Sequence, residues 1–237
     1  MKDKFTFSVS IPNPFKIRDG AKKQEEVKRE KLWLTIIGTV LFLLFVIYTY
    51  CVAREYLVQF DFDTTVRLQG KIPLRLDPFF SSFSLLGSAE VTGFLFGALV
   101  LVVSWKKWRR LLIGISFLVF HAIELLFKSI VDQMGPPFMF HRYAFDYHFP
   151  STYVSTDYYS YPSGHAGRTA LLLGLIAYII WKSKLGRLGK FGILGGLGIL
   201  FIIMAISRVS LGEHWVSDVI GGSLLGYSMA ILSLVLW

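Results

Sequence analysis

The sequence is poor in cysteine and in charged residues. Its one cysteine, Cys51, has no partner for an intramolecular disulfide, and the chain shows no Cys/His spacing of a zinc site. Charged residues make up 17% of the 237 residues, against about a quarter in soluble domains. Hydrophobic residues make up 54% and fall in long runs. These runs are typical of membrane spans and exclude an ordinary soluble domain.

Six apolar runs are long enough to cross a bilayer as helices, which takes roughly 17–25 residues. They lack the alternation of transmembrane strands. The runs occupy residues 32–53, 83–105, 111–127, 164–181, 191–206 and 216–237. We therefore predict an all-α fold, an integral membrane bundle of six transmembrane helices in one domain, residues 32–237, preceded by a cytoplasmic N-terminal segment, residues 1–31.

Positively charged residues are concentrated in three segments. Of the 25 Lys and Arg residues, 17 lie in residues 1–31, 106–110 and 182–190. These segments share one side if six helices alternate, and the positive-inside rule assigns that side to the cytoplasm. The same bias explains the net charge of +9 without a nucleic-acid partner. It fits a multi-pass protein of a bacterial cytoplasmic membrane, with both termini inside.

One cluster of reactive residues lies between the last two runs. His214 and Asp218 are four residues apart, so on a helix they share a face and can form a hydrogen bond. A carboxylate on one imidazole nitrogen leaves the other nitrogen free to attack. Arg208 precedes them with a guanidinium suited to two phosphate oxygens.

A second cluster of residues predicts the start of the fourth span. Pro162 is followed by Ser163 as a helix cap and by Gly164, and free amides at a helix start bind anions. His165 in the first turn could protonate a leaving alcohol, and Lys128 at the end of the third span adds a positive charge. In the predicted topology all these residues fall together on the outer side.

The pattern resembles the type 2 phosphatidic acid phosphatase superfamily, also called the lipid phosphate phosphatase or acid phosphatase superfamily. Two of its motifs are complete here: Pro-Ser-Gly-His at 162–165, and Ser-Arg, five residues, His, three residues, Asp at 207–218. The first motif, Lys, six residues, Arg-Pro, is incomplete, because Lys128 is followed by Gly135 and Pro136.

The resemblance implies a role for each matching residue. His214 is the nucleophile that forms a phosphohistidine, Asp218 orients it, and His165 is the general acid. The implied phosphate-binding residues are Lys128, Ser163, Gly164 and Arg208. The family needs no metal or other cofactor.

The missing arginine of the first motif needs a substitute for phosphate binding. The two candidates are Arg168, one helical turn beyond the second cluster, and Arg142, in the link between the third and fourth spans.

The resemblance and the spans together predict an outward-facing lipid phosphatase. Its substrate would be an isoprenoid pyrophosphate, phosphatidate, phosphatidylglycerophosphate or a similar lipid phosphate. Two alternatives stay open: a lipid phosphotransferase that uses an alcohol acceptor, and a non-catalytic member that binds or transports lipid.

Four further features give structural predictions. Glu124 lies four residues before Lys128, which predicts an ion pair between them. Glycines four apart in the last two spans, Gly192 with Gly196 or Gly222 with Gly226, allow close helix packing. Residues 66–80 carry two prolines, which predicts a short or broken helix at the membrane interface. Ten Phe and Tyr between 138 and 161 are typical of an aromatic belt and could also form a rim that guides a lipid headgroup.

Overall fold

The computed structural model describes residues 14–142, 145 and 159–237. In these residues the chain forms α-helices and short 3-10 helices, with no β-strand, which confirms the all-α prediction. The α-helices are α1 (Pro14–Ala53), α2 (Val58–Lys71), α3 (Asp77–Ser84), α4 (Ala89–Ser104), α5 (Gly114–Ile130), α6 (Gly164–Lys182), α7 (Arg187–Ser210) and α8 (Val216–Ser233). Most of the aromatic link, residues 143–144 and 146–158, lies outside the described residues.

Five helical segments of the described chain are long and apolar enough to cross a membrane. A sixth crossing results if Leu74–Gly87 and Ala89–Ser104, which meet at a bend of 48°, count as one span. The bend occurs at Ser88, whose extended backbone caps α4 and whose hydroxyl accepts from Val91 N at 3.3 Å. The predicted second span is thus a broken helix, because a capped helix start interrupts it.

The surface of the bundle is apolar. The side chains of Leu118, Leu125 and Leu188 are 69%, 60% and 90% exposed. Large apolar side chains exposed at this level are unfavourable in water and suit contact with lipid tails. The exterior therefore supports the membrane assignment that the apolar runs predict.

The centre of the bundle is the pair α6 and α8. A Cβ added to Gly222 would collide with the Ser163 carbonyl oxygen, and one added to Gly226 would collide with the Gly167 carbonyl. This confirms the close approach predicted for α8. The prediction is wrong for Gly192 and Gly196, because a Cβ at either would meet no atom within 4 Å.

The two ends of the bundle differ in chemistry. At one end, Lys31 Nζ donates to the Val235 carbonyl at 2.7 Å, and Lys182 pairs with Glu30 at 2.5 Å. The basic residues that end α6 and lie within α1 therefore meet at this end. The reactive clusters occupy the other end, where α5 and α7 finish and α6 and α8 begin.

The segment between α1 and α4 is broken, as predicted for residues 66–80. Helix α2 ends at Lys71, and Pro73 precedes a 3-10 turn, Leu74–Leu76, that leads into α3. Both helices pack against α7, and α2 also packs against α8. This segment thus lies over the end of the bundle that carries the reactive residues.

Candidate active site

Helix α6 begins at the second cluster, as predicted. Ser163 is its N-cap, and the Ser163 hydroxyl accepts from Ala166 N at 3.5 Å. The Ser163 amide donates to the Asp218 carbonyl at 3.0 Å. The start of α6, with the positive end of its dipole, is therefore fixed against the start of α8.

The link between α7 and α8 folds back on the end of α7. The amides of Glu213 and His214 donate to the Arg208 carbonyl at 3.1 and 3.3 Å. Gly212 has φ of 74° and lies against the Phe140 backbone, where a Cβ would collide. A larger residue at position 212 would have an unfavourable φ and would also collide with the Phe140 backbone, so glycine is required for this turn.

His214 lies outside α8, one residue before its N-cap Trp215. The prediction that His214 and Asp218 share a helix face is therefore wrong. The predicted contact is present, because the turn brings His214 Nδ1 to 3.4 Å from Asp218 Oδ2. Asp218 Oδ2 also accepts from Trp215 N at 2.9 Å, which closes the first turn of α8.

Ser160 lies between the histidine and the carboxylate. Its hydroxyl donates to Asp218 Oδ2 at 2.5 Å and lies 3.2 Å from His214 Nδ1. A hydroxyl that gives its proton to Asp218 can only accept from the imidazole. This places the imidazole proton on Nδ1 and leaves the Nε2 lone pair free.

The surroundings of His214 keep its ring neutral. The side chain is 2% exposed, and this burial lowers the pKa of His214 well below its ordinary range. The positive charges of Arg208 and Lys128 lower that pKa further, and Glu213 opposes them. A neutral imidazole among cations can attack an electrophile that carries negative charge.

Arg208 is the most constrained of these cations. Its guanidinium is buried, donates to the Ser84 hydroxyl and pairs with the Glu213 carboxylate. Among the described residues its Nε has no hydrogen-bond partner. A buried guanidinium with a free donor is suited to bind an oxyanion. Arg208 would then contact both the oxyanion and Glu213.

Lys128 and Glu124 do not form the predicted ion pair. Lys128 is 8% exposed and donates from Nζ to the Tyr159 carbonyl at 2.9 Å. Glu124 pairs instead with Arg168 at 3.1 Å. The prediction failed because α6 packs beside α5 and brings a guanidinium to the carboxylate, which no local spacing reveals.

The two arginines considered as phosphate ligands lie in different places. Arg168 donates from Nε to the Gly87 carbonyl at 3.0 Å, and its charge acts on His214. Arg142 donates to the Gln69 and Ile72 carbonyls and pairs with Asp77 of α3 at 3.5 Å, so it bridges the break between α2 and α3. The structure therefore brings Arg168, and not Arg142, into the cation cluster.

His165 completes the cluster from the first turn of α6. It is partly exposed, and its ring lies against Gly87, where an added Cβ would be 2.9 Å from His165 Cδ2. His165 interacts electrostatically with His214 and Arg208. The residues of all three sequence clusters thus converge at one end of the bundle.

The described residues contain no group of three or more His, Cys, Asp or Glu that could hold a metal ion. The groups that meet at the site are cationic side chains, backbone amides at the start of a helix and two imidazoles. This set is suited to a phosphate group, since phosphoryl transfer depends mainly on positioning and charge stabilisation.

Sequence reasoning missed three residues that contact this cluster. Ser160 contacts His214 and Asp218, Ser84 contacts Arg208, and Gln133 donates to Asp218 Oδ1 at 3.3 Å. Serine and glutamine carry no distinctive spacing, so only the packed structure shows that they belong to the site.

The sequence is similar to known proteins and to a known family model. A model of the PAP2 superfamily matches residues 109–237. Phosphatidylglycerophosphatase B of Bacillus subtilis (strain 168) is 30% identical over 128 residues, which cover 54% of this chain and 57% of that protein. The match thus spans less than two thirds of that relative's length.

Two solved structures share the fold. One is a transmembrane PAP2-type phosphatidylglycerolphosphate phosphatase from Bacillus subtilis, with a TM-score of 0.66 and 23% identity over 83% of this chain and 94% of that chain. The other is LpxE of Aquifex aeolicus, with a TM-score of 0.51 and 24% identity over 74% of this chain and 94% of that chain.

Proposed function

This chain belongs to the PAP2 superfamily, and from that premise we propose that it is a membrane phosphatase that hydrolyses a lipid phosphate. The proposal rests on the tautomer of the His214 ring. Its Nδ1 faces Ser160 and Asp218, so its Nε2 is available as a nucleophile beside Arg208 and Lys128.

The reaction we propose has two steps. In the first, His214 Nε2 attacks phosphorus, and the bond from phosphorus to the lipid oxygen breaks. His165, whose protonated form is favoured by the negative charge of the bound phosphate, gives its proton to that oxygen. In the second, water attacks the phosphohistidine, His165 takes a proton from the water, and inorganic phosphate leaves. The nitrogen–phosphorus bond breaks in this step, so His214 and His165 return to their starting states.

The phosphate oxygens would be held by the cations and by the start of α6. Arg208 offers its free Nε, Lys128 its ammonium, and Ser163 and Gly164 the positive end of the helix dipole. We propose that Arg168 replaces the missing first-motif arginine by adding its charge to this site. Its pairing with Glu124 holds it there.

The membrane setting supports a lipid as the substrate. An exposed apolar surface surrounds the bundle, so a lipid can keep its tail in the bilayer while its headgroup enters the site. The basic linkers lie at the opposite end from His214, and by the positive-inside rule this supports a site at the outer leaflet. Relatives that act on phosphatidylglycerolphosphate favour a glycerophospholipid monoester, and isoprenoid pyrophosphates remain a second class to test.

A phosphate-release panel with purified protein tests this function. The panel contains phosphatidylglycerophosphate, phosphatidate and an isoprenoid pyrophosphate, each with and without chelator. We expect wild type to release phosphate in both conditions, and His214→Ala to release none. His141→Ala is the matched control, because its ring is bound to the Pro136 carbonyl outside the cluster, and it should keep its activity.

Four outcomes would change the proposal. Release of no phosphate from any lipid would contradict it, and loss of release with chelator would contradict the metal-free reaction. Transfer of the phosphoryl group to an added alcohol would indicate a phosphotransferase. Failure to trap radiolabelled phosphate on His214 would contradict the phosphohistidine.

A further inference from the structure

A buried hydrogen-bond chain connects the active site to α2. Helix α2 precedes residues 109–237, the part of the chain that matches the PAP2 model. Its residue Asp61 is 3% exposed, and Ser217 on α8 is fully buried beside it. The carboxylate accepts twice from Ser217, from the amide at 2.8 Å and from the hydroxyl at 2.6 Å.

The chain continues from Ser217 to the active site through Gln133. The Gln133 amide nitrogen donates to the Ser217 hydroxyl oxygen at 3.1 Å and to Asp218 Oδ1 at 3.3 Å. The backbone carbonyl of Gln133 also accepts from Ser160 N at 3.1 Å. One residue thus positions both groups that face His214 Nδ1.

Asp61 sets the direction in which the Ser217 hydroxyl donates, while Gln133 donates to both of its neighbours in the chain of hydrogen bonds, Ser217 and Asp218. Because the carboxylate only accepts, the Ser217 hydroxyl must give it its proton. The oxygen of Ser217 then has lone pairs left for Gln133, whose NH₂ group faces Ser217 and Asp218. Asp218 Oδ1 is satisfied in this way, while Oδ2 serves Ser160, Trp215 and His214.

We propose that Asp61 is a positioning residue that acts through Ser217 and Gln133 to hold Asp218, and through Asp218 the reactive orientation of His214. The inference rests on the proposed function, because the consequence of misplacing His214 is a slower phosphoryl transfer. Asp61 touches neither imidazole in this chain of contacts, so its effect on the reaction is indirect.

Asp61→Asn tests whether the Ser217 hydroxyl must donate to residue 61, and it keeps the shape of that side chain. Asparagine can accept from the Ser217 amide, but its NH₂ group then faces the Ser217 hydroxyl. That hydroxyl must turn its proton toward Gln133, where it meets the NH₂ group. The Gln133 amide would have to rotate, and its oxygen would then face Asp218 Oδ1, which repels it.

The experiment compares kcat and KM for wild type, Asp61→Asn, Ser217→Ala and the double variant. We expect each single variant to lower kcat about tenfold, the effect of losing one hydrogen bond in the transition state, with little change in KM. The double variant should lose no more than either single one, because both changes interrupt the same chain. Asp63→Asn, on the same helix and bound to Gln59, is the matched control and should match wild type.

Several results would overturn the inference. They are an unchanged kcat in Asp61→Asn, a rise in KM at constant kcat, or losses that multiply in the double variant. If Asp61→Asn does not fold, Ser217→Ala decides alone, because it leaves the Asp61 contact to the backbone amide in place. An unchanged kcat in a folded Ser217→Ala would then count against the chain.

The same samples separate this inference from the proposed function. If wild type releases no phosphate from any lipid, the proposed function fails, and the chain is tested by ¹⁵N NMR of the His214 ring. We expect the Nδ1–H tautomer in wild type and a mixture of tautomers in Asp61→Asn. Identical ring spectra in the two proteins would overturn the inference independently of activity.

Discussion

The Ser160 hydroxyl oxygen lies 3.2 Å from His214 Nδ1, closer than the 3.4 Å between that nitrogen and Asp218 Oδ2. Ser160 also donates to Asp218 at 2.5 Å. The carboxylate therefore holds the imidazole largely through an intervening hydroxyl. A buried relay of this kind fixes the tautomer of His214 as a direct carboxylate contact would.

Ser160→Ala should lower kcat about tenfold and leave KM nearly unchanged, because Asp218 remains but its hydrogen bond to the ring is weaker and less well oriented. Steady-state phosphate release measures the effect. Ser129→Ala is the control, since that exposed hydroxyl donates to the Leu126 carbonyl of its own helix. Wild-type kcat in Ser160→Ala would show that Asp218 holds the ring without the hydroxyl.

Neutralising the Arg168–Glu124 pair should weaken phosphate binding. The double variant Arg168→Gln with Glu124→Gln avoids leaving a buried charge unpaired, so we expect it to fold. Its KM should rise about tenfold, because glutamine cannot supply the guanidinium donors that bind phosphate oxygens.

Arg142→Gln is the comparison for that variant. It should lower the thermal stability, because Arg142 bridges the break between α2 and α3, and leave KM unchanged. If KM stays at the wild-type value in both proteins, neither arginine replaces the missing one of the first motif.

Gly226→Ala should destabilise the bundle at its centre. The added methyl would collide with the Gly167 carbonyl and lie 2.8 Å from Ala170 Cβ, and overpacking of this kind costs about 1–3 kcal/mol. Thermal unfolding in detergent should show a melting temperature lower by about 5 °C. Gly196→Ala meets no atom within 4 Å and should not lower it. An equal loss in both would contradict the packing.

The stability of the protein should depend on the ionisation of Asp61. Burial raises the pKa of Asp61 to about 6, above the roughly 3.9 of an aspartate in an unfolded chain. The folded state thus binds this proton more tightly than the unfolded state. The contribution of Asp61 to stability is therefore greatest at low pH and falls as pH rises from about 4 to about 6.

Asp61→Asn lacks this titration, so the difference in melting temperature between wild type and the variant isolates it. We expect wild type minus Asp61→Asn to be greater at about pH 4.5 than at about pH 7.5, by about 5 °C. Groups that do not interact with Asp61 titrate alike in both proteins and cancel. A difference that is constant with pH, or greater at high pH, would contradict a raised pKa.

The sequence alone was sufficient to predict the helical bundle and the end at which the reactive residues meet. Long apolar runs require helices in a bilayer, since every backbone group must be bonded internally. Alternation of six spans then brings Lys128, Ser163, His165, Arg208 and His214 to one end, whatever the rotation of each helix. The cap at Ser163 also follows from local residue order.

Only the tertiary structure decided which side chains meet at that end. The rotation of α6 against α5 gives Glu124 to Arg168 rather than to Lys128. The packing of α2 on α8 brings Asp61 to Ser217, 156 positions away along the chain. Such contacts depend on how helices rotate and approach one another, and this is set by the summed packing of the whole bundle rather than by any local spacing.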